Sequence, residues 1–372
     1  MRQVSIGLFL LAALCQAPAF AQSLTMPPSG GNQKSAISQR IGITDVAITW
    51  DAPGVRGREG KIWGTQVAHF GFQDPGFGTS KAAPWRAGAN ECTTISFSTD
   101  VKIEGKDLKA GKYGFFIALY ADSCTLIFSK NSTAWGSYFY KPEEDALRVT
   151  VRQQKDLPQS REWLAYTFAD ATDHSATIAL EWERWRIPFR AEVDLAKTVV
   201  ASMRRELEGS VGFVASNWQA AAQFCHDHDT NLEEALTWAE NAVNGTFGPA
   251  TFQGFAVKAD ILRKLNRAKE ADATMEKGVA IATVFELHGY ARQLVAQKKP
   301  KEALAIFEKN YQKHGETWPT HVGLARGYSA NGQIEKALAH AKLALAQAPD
   351  DLNKKSVESM VKTLSEGKAL VQ

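Results

Sequence analysis

The hydrophobic rhythm of this chain changes once, near residue 190, and that change limits what it can fold into. Up to about Phe189, apolar residues recur at every second position. Leu147, Val149 and Val151 do so, as do Leu164, Tyr166 and Phe168, and then Ile178, Leu180 and Trp182. A period of two puts alternate side chains on opposite faces of a strand, one buried and one wet. From Glu192 onward the spacing is helical, and Val193, Ala196, Val199, Val200 and Met203 would line one stripe of a helix. The expected fold is therefore α+β and multidomain. An antiparallel β-sandwich occupies residues 37–190, a connecting helix lies within 191–215, an all-α helical solenoid fills 216–351, and a capping helix and tail take 352–372.

Residues 37–190 hold about nine strand-like runs and no helical run. Parallel pairing needs long crossovers, so antiparallel pairing follows. Tyr113 to Tyr120 is apolar on both faces, as a central strand should be, and follows a reversal at Gly105-Lys106-Asp107 and Lys109-Ala110-Gly111. Alternation slips parity at Glu183-Arg184, which predicts a β-bulge, and Pro188 predicts that the strand after it is an edge.

The first residues read as an address. Arg2 supplies a charged start, Ile6 to Leu14 a short apolar stretch, and Ala19-Phe20-Ala21 a small-x-small cleavage pattern before Gln22. Residues 1–21 are thus expected to be a signal peptide and 22–36, with Pro27, Pro28, Gly30 and Gly31, a flexible tether. Cys15 follows Leu14 where a lipid-attachment motif needs a small residue. No second apolar stretch approaches the roughly 18 residues of a membrane span, so an exported chain with no transmembrane anchor is expected. A net charge of +3 gives no case for nucleic acid as a partner, and 44% hydrophobic residues with 10 Trp exclude intrinsic disorder.

The stretch Trp85-Arg86-Ala87-Gly88-Ala89-Asn90-Glu91 carries the most chemistry. Trp85 offers a stacking face, Arg86 a fork of donors, Asn90 an amide and Glu91 an acceptor. Together they suit a small polar or glycan ligand. The same residues would also serve as a structural corner in which Arg86 pairs with Glu91. Before them, the Gly- and Pro-rich loop Gly71 to Pro84 is a candidate lid or rim. No catalytic motif stands out. His69 and His174 adjoin no nucleophile elbow, and no His-Glu-x-x-His, paired Cys-x-x-Cys or cofactor motif is present. The enzymatic alternative to a binding protein is a glycan-directed hydrolase using Glu91 with Glu181 or Glu183. Cys92 and Cys124 are a candidate disulfide in an oxidising compartment, opposed by parity: Cys92 runs with Thr94 and Ser96, Cys124 with Leu126 and Phe128.

The helical region repeats. Asn231 to Ala235, Arg267 to Ala271, Lys299 to Ala303 and Gln333 to Ala337 are similar, and their final alanines are 36, 32 and 34 residues apart. Twelve residues before the last three alanines stand Ala259, Ala291 and Ala325, and Met275, Phe307 and Ala341 follow downstream. Val357, Met360, Val361 and Leu364 mark a final capping helix. The run Cys225-His226-Asp227-His228-Asp229 offers metal-ligand types, with Cys225, His226 and His228 as weak candidates, because neighbours on a helix point different ways.

Two resemblances rest on these residues. Ile41-Gly42, Val55-Arg56-Gly57-Arg58, Trp63-Gly64, Trp85 to Glu91, Ala110 to Tyr113, Ile127 to Lys130, Trp135-Gly136 and Leu147 to Val149 resemble, in order, a bacterial secreted family known as domain of unknown function 2911. That resemblance implies no activity, and it implies a bacterial periplasmic or extracellular address. The alanine register resembles tetratricopeptide repeats over about 216–351. It implies paired helices holding a protein or peptide. Carried onto this register, the groove positions are Asp260, Arg263, His288, Arg292 and Arg326, a cationic set suited to an acidic segment or a free C-terminal carboxylate. Paired with glutamates of the repeats, the same residues would instead be a solvated charged face.

Overall fold

The structure is a computed structural model that describes residues 31–370, and the chain divides into two compact units at Leu195–Ala196. The signal peptide expected at 1–21 and residues 22–30 of the tether lie outside the described residues. Residues 33–36, expected in the tether, are strand instead: past the last glycine, Ser35 and Ile37 already alternate inward.

The first unit is built of β1 (Gln33–Ile41), β2 (Thr44–Ala52), β3 (Ala89–Phe97), β4 (Val101–Ile103), β5 (Lys106–Leu108), β6 (Gly111–Leu119), β7 (Cys124–Ser129), β8 (Asp145–Val151), β9 (Arg161–Ala169), β10 (Ser175–Glu183) and β11 (Trp185–Glu192). They form two sheets, ordered β1-β2-β3-β6-β7-β8 and β5-β4-β11-β10-β9, whose paired strands all run antiparallel. The inward residues of both, among them Ile48, Ile95, Phe115, Phe128, Ile178 and Ile187, close a single apolar core, so the unit is a β-sandwich. β6 is central, as its two apolar faces predict. Tyr113, Phe115, Ile117 and Leu119 face that core, while Phe116 and Ala118 lie under a second cluster with Cys92, Ile127 and Tyr140.

Two expectations at the end of the sandwich are corrected. Glu183-Arg184 is not a bulge within one strand but the two-residue reversal between β10 and β11, with Trp182 opposite Trp185 and Glu183 left-handed at φ 50°. A hairpin turn of two residues shifts parity just as an inserted residue does. β11 is not an edge strand either. It pairs with β10 along its length, with β4 at Ala191 and Glu192, and with Gln154 at Arg186. Pro188 sits between those last two contacts, where a missing N–H interrupts no ladder.

The second unit begins with α1 (Leu195–Leu207), which buries Val200 and Leu207. Val193, expected in its stripe, belongs to the sandwich core. Four helix pairs follow: α2 (Ala215–Asp227) with α3 (Leu232–Val243), α4 (Phe252–Lys264) with α5 (Ala268–Ile281), α6 (Val284–Ala296) with α7 (Pro300–His314), and α8 (Trp318–Ala330) with α9 (Ile334–Ala346). Ala235, Ala271, Ala303 and Ala337 are fully buried, as are Ala259, Ala291 and Ala325. Only a methyl group fits where paired helices approach this closely. The last helix, α10 (Asp351–Ser365), lays Val357, Met360 and Leu364 against Ala337, Ala341 and Ala344 of α9. No helix among the described residues is long and apolar enough to cross a membrane.

Candidate functional site

Backbone geometry around Arg86 gives the sandwich its most distinctive corner. Trp85 exchanges hydrogen bonds with Ile117 of β6, at 3.1 and 2.9 Å. The chain then turns through Ala87, left-handed at φ 51°, and through Gly88, where a Cβ would stand 2.7 Å from the Thr93 hydroxyl. Asn90 is left-handed too, and the pairing of β2 with β3 loses register between Thr49 and Asp51. Arg86 closes this bulge by donating from Nη1 to the Asn90 carbonyl at 2.8 Å. Its guanidinium lies 4.9 Å over the Tyr138 ring and against Gly136, where a Cβ would sit 2.4 Å from Nη1. The fork is thereby fixed in direction.

Arg86 lines a cleft of about 990 Å³, together with Arg56, Arg58, His69, Asn90 and Tyr138. Arg58 donates to the carbonyls of Val55 and Gly54 at 3.0 and 2.7 Å. Arg56 donates to Gly31 at 2.8 Å and stacks 5.7 Å over Trp163. Burial, helped by Arg86, lowers the His69 imidazole below its ordinary value. Asp74 is the one carboxylate among the cleft's lining residues. The Gly76 N–H and Lys81 hold it below the usual carboxylate range.

The cleft takes in only part of the expected set. Arg86 and Asn90 line it. Trp85 also borders it but is only 4% exposed, edge-on to Trp63 at 5.7 Å and parallel to Trp182 at 6.3 Å, so it is a wall and not a stacking platform. Glu91 sits in a separate hollow of about 340 Å³, where it pairs with Lys34, so the expected Arg86–Glu91 pair is not formed. Nor does Glu91 meet Glu181, which pairs with Arg161 and Arg186, or Glu183, which accepts from the Gly60 N–H at 2.5 Å. The two-carboxylate site expected for a glycan hydrolase is therefore not assembled from these residues.

Loop Gly71 to Pro84 is a fixed rim. Gln73 and Ala83 exchange backbone hydrogen bonds, and Thr79 and Ser80 both donate to the Tyr138 carbonyl. Cys92 and Cys124, the candidate disulfide that parity opposed, are free thiols. Cys92 faces the outer cluster and Cys124 the main core, so the intervening sheet separates the two thiols. Arg56, Arg58, His69 and Tyr138 were not expected at the site. The first two stand in the Val55-Arg56-Gly57-Arg58 motif, whose doubled arginine was the available signal.

In the helical unit the five groove candidates split into two kinds. Arg263 is neutralised by Asp260 at 2.8 Å and Asp272 at 3.8 Å. Arg292 on α6 and Arg326 on α8 carry the positive charge here, beside His288, whose imidazole burial keeps neutral, and the two arginines make no ion pair among the described residues. Burial, then repulsion from Arg292, lowers the Arg326 pKa, and its Nε is buried without a hydrogen-bond partner. The run at 225–229 disperses. Cys225 is buried in the core, His226 meets Asp227 at 2.8 Å, and His228 stacks on Phe224 at 4.0 Å.

Residues 32–191 match the model of a family described as a protein of unknown function (DUF2911), and residues 294–355 match a tetratricopeptide repeat model. No curated protein matches the chain. Among solved structures, YrrB, "a TPR protein with an unusual peptide-binding site", is 18% identical over 44% of this chain and 84% of its own, at a TM-score of 0.28. A Podosopora anserina protein described by "kinesin light chain nearly identical TPR-like repeats" is 18% identical over 41% and 85%, at a TM-score of 0.29. The N-terminal half of the chain thus resembles the DUF2911 family, and its C-terminal half resembles tetratricopeptide repeats, with the model match at residues 294–355.

Proposed function

We propose that this chain is an exported, non-enzymatic adaptor. Its repeats hold a protein partner through an acidic segment, and its β-sandwich is a ligand-binding module. The observation that carries the reading is the cluster of His288, Arg292 and Arg326. Two guanidinium groups close enough to repel each other, with no carboxylate paired to them among the described residues, suit an anionic partner. The alternative of a wholly solvated charged face applies at Arg263, whose aspartates satisfy it.

The test is fluorescence anisotropy of the full chain with an acidic peptide ending in a free carboxylate and with its neutral, amidated counterpart. The acidic peptide is expected to bind more tightly, to weaken with salt, and to lose about tenfold on R292Q, an exposed position. Equal affinity for both peptides, or indifference to R292Q, overturns the partner assignment. Export is tested by N-terminal sequencing of the protein recovered outside the cytoplasm, with Gln22 expected as its first residue.

A further inference from the structure

The geometry points to the cleft of the β-sandwich as a binding site for a polyhydroxylated ligand that carries an anionic group, a carboxylate or a phosphate. This rests on the reading of the sandwich as a ligand-binding module and names the ligand class. Arg58 and Arg86 both line the cleft, and each is held by neutral carbonyls: Val55 and Gly54 for the first, Asn90 for the second. Carbonyl acceptors fix a guanidinium's direction without cancelling its charge, so the positive potential remains to be met. Asp74, the one lining carboxylate, is already engaged by Lys81 at 3.3 Å and by the Gly76 N–H at 2.9 Å.

The rest of the wall suits hydroxyls. Gln66, Gln73 and Tyr138 line the cleft beside the guanidinium groups, and their side-chain amides and hydroxyl can both donate to and accept from ligand hydroxyls. Asn90 lines the same wall, its side-chain oxygen accepting from the Asn32 amide at 3.1 Å. A volume of about 990 Å³ admits a molecule the size of one or two sugar rings. Trp85 stands edge-protected behind the wall, so recognition falls to the polar atoms and not to ring stacking.

Isothermal titration of the full chain with glucose, glucuronate, glucose 6-phosphate and inorganic phosphate tests this. At least one charged sugar is expected to bind about tenfold more tightly than glucose and to weaken in high salt. The tighter of the two assigns the anion as carboxylate or phosphate. R86Q is expected to lose about tenfold, and D74N, on an exposed rim side chain, to gain a few-fold. D74N carries the test if R86Q does not fold. Glucose bound as tightly as the charged sugars leaves a ligand site but overturns its anionic class. Inorganic phosphate bound as tightly as glucose 6-phosphate overturns the polyhydroxylated frame. Silence from all four, or indifference to both variants, overturns the inference, and the acidic-peptide reading of the repeats stands or falls separately.

Discussion

Lys34 on β1 reaches past β2 to pair with Glu91 on β3, and Arg86 makes no ion pair among the described residues. Both partners are more than half exposed, so water screens the attraction and the pair adds little to stability. Glu91→Gln is expected to cost less than about 1 kcal/mol in urea denaturation. It is also expected to leave binding at the cleft unchanged, because Glu91 lines a different hollow. A larger loss, or weaker ligand binding, would put Glu91 back at the site.

Trp85, by contrast, is a keystone of packing. It lies parallel to Trp182 and edge-on to Trp63, which stacks in turn on Trp185 at 4.5 Å. Truncating so large a buried side chain leaves a void its neighbours cannot fill. Trp85→Ala is expected to lose about 3–5 kcal/mol in chemical denaturation, and Trp85→Phe distinctly less. A Trp85→Ala protein of normal stability with impaired binding would return Trp85 to the role of platform.

The cysteines make a chemical prediction. Burial pushes the thiols of Cys92 and Cys124 up to about 12, and that of Cys225 to about 11. The thiolate is the reactive form, so at pH 8 the folded protein should react only sluggishly with a thiol reagent. All three should titrate once guanidinium unfolds the chain. An intact mass two hydrogens short under non-reducing conditions would reveal the bond that the sheet forbids.

Strand parity and the alanine register could both be read directly from the chain. Each is a local periodic signal, and burial of Ile178, Leu180, Trp182 and the seven small-residue positions follows from it. Parity also separated Cys92 from Cys124 correctly, since it reports which face of a sheet a residue takes. The cleft was only half visible. Arg86 and Asn90 are close in sequence, but Arg58, His69 and Tyr138 arrive from loops whose approach depends on tertiary folding. Glu91 was misplaced for the same reason. Its partner Lys34 is 57 residues away on a strand that the tether reading had cut short. At Glu183-Arg184 the parity signal was real, but a hairpin and a bulge leave the same trace in a sequence.

The pH dependence of the helical unit follows from His288. Its Nδ1 is 3.3 Å from the Pro319 carbonyl and its ring is 5.6 Å from that of Phe307. Burial first, then repulsion from Arg326, lowers its pKa from 6.5 to about 4. Between these values the unfolded imidazole takes up a proton that the folded one refuses, so the unfolded state binds more protons. Stability must therefore fall as pH falls from about 6.5 toward 4, by at most about 3 kcal/mol from this residue. His321 and His340, lowered chiefly by burial and with their Nδ1 atoms 3.1 Å apart, act in the same direction. In denaturation followed by helical circular dichroism, His288→Gln is expected to lose less stability than the parent between pH 7 and pH 5. An unchanged slope would mean that the folded imidazole is charged. The same linkage couples to the proposed partner. An anion seated on Arg292 and Arg326 removes the repulsion that disfavours the imidazolium, so acidic-peptide affinity should rise on acidification from pH 7 to pH 5 and lose that rise in His288→Gln.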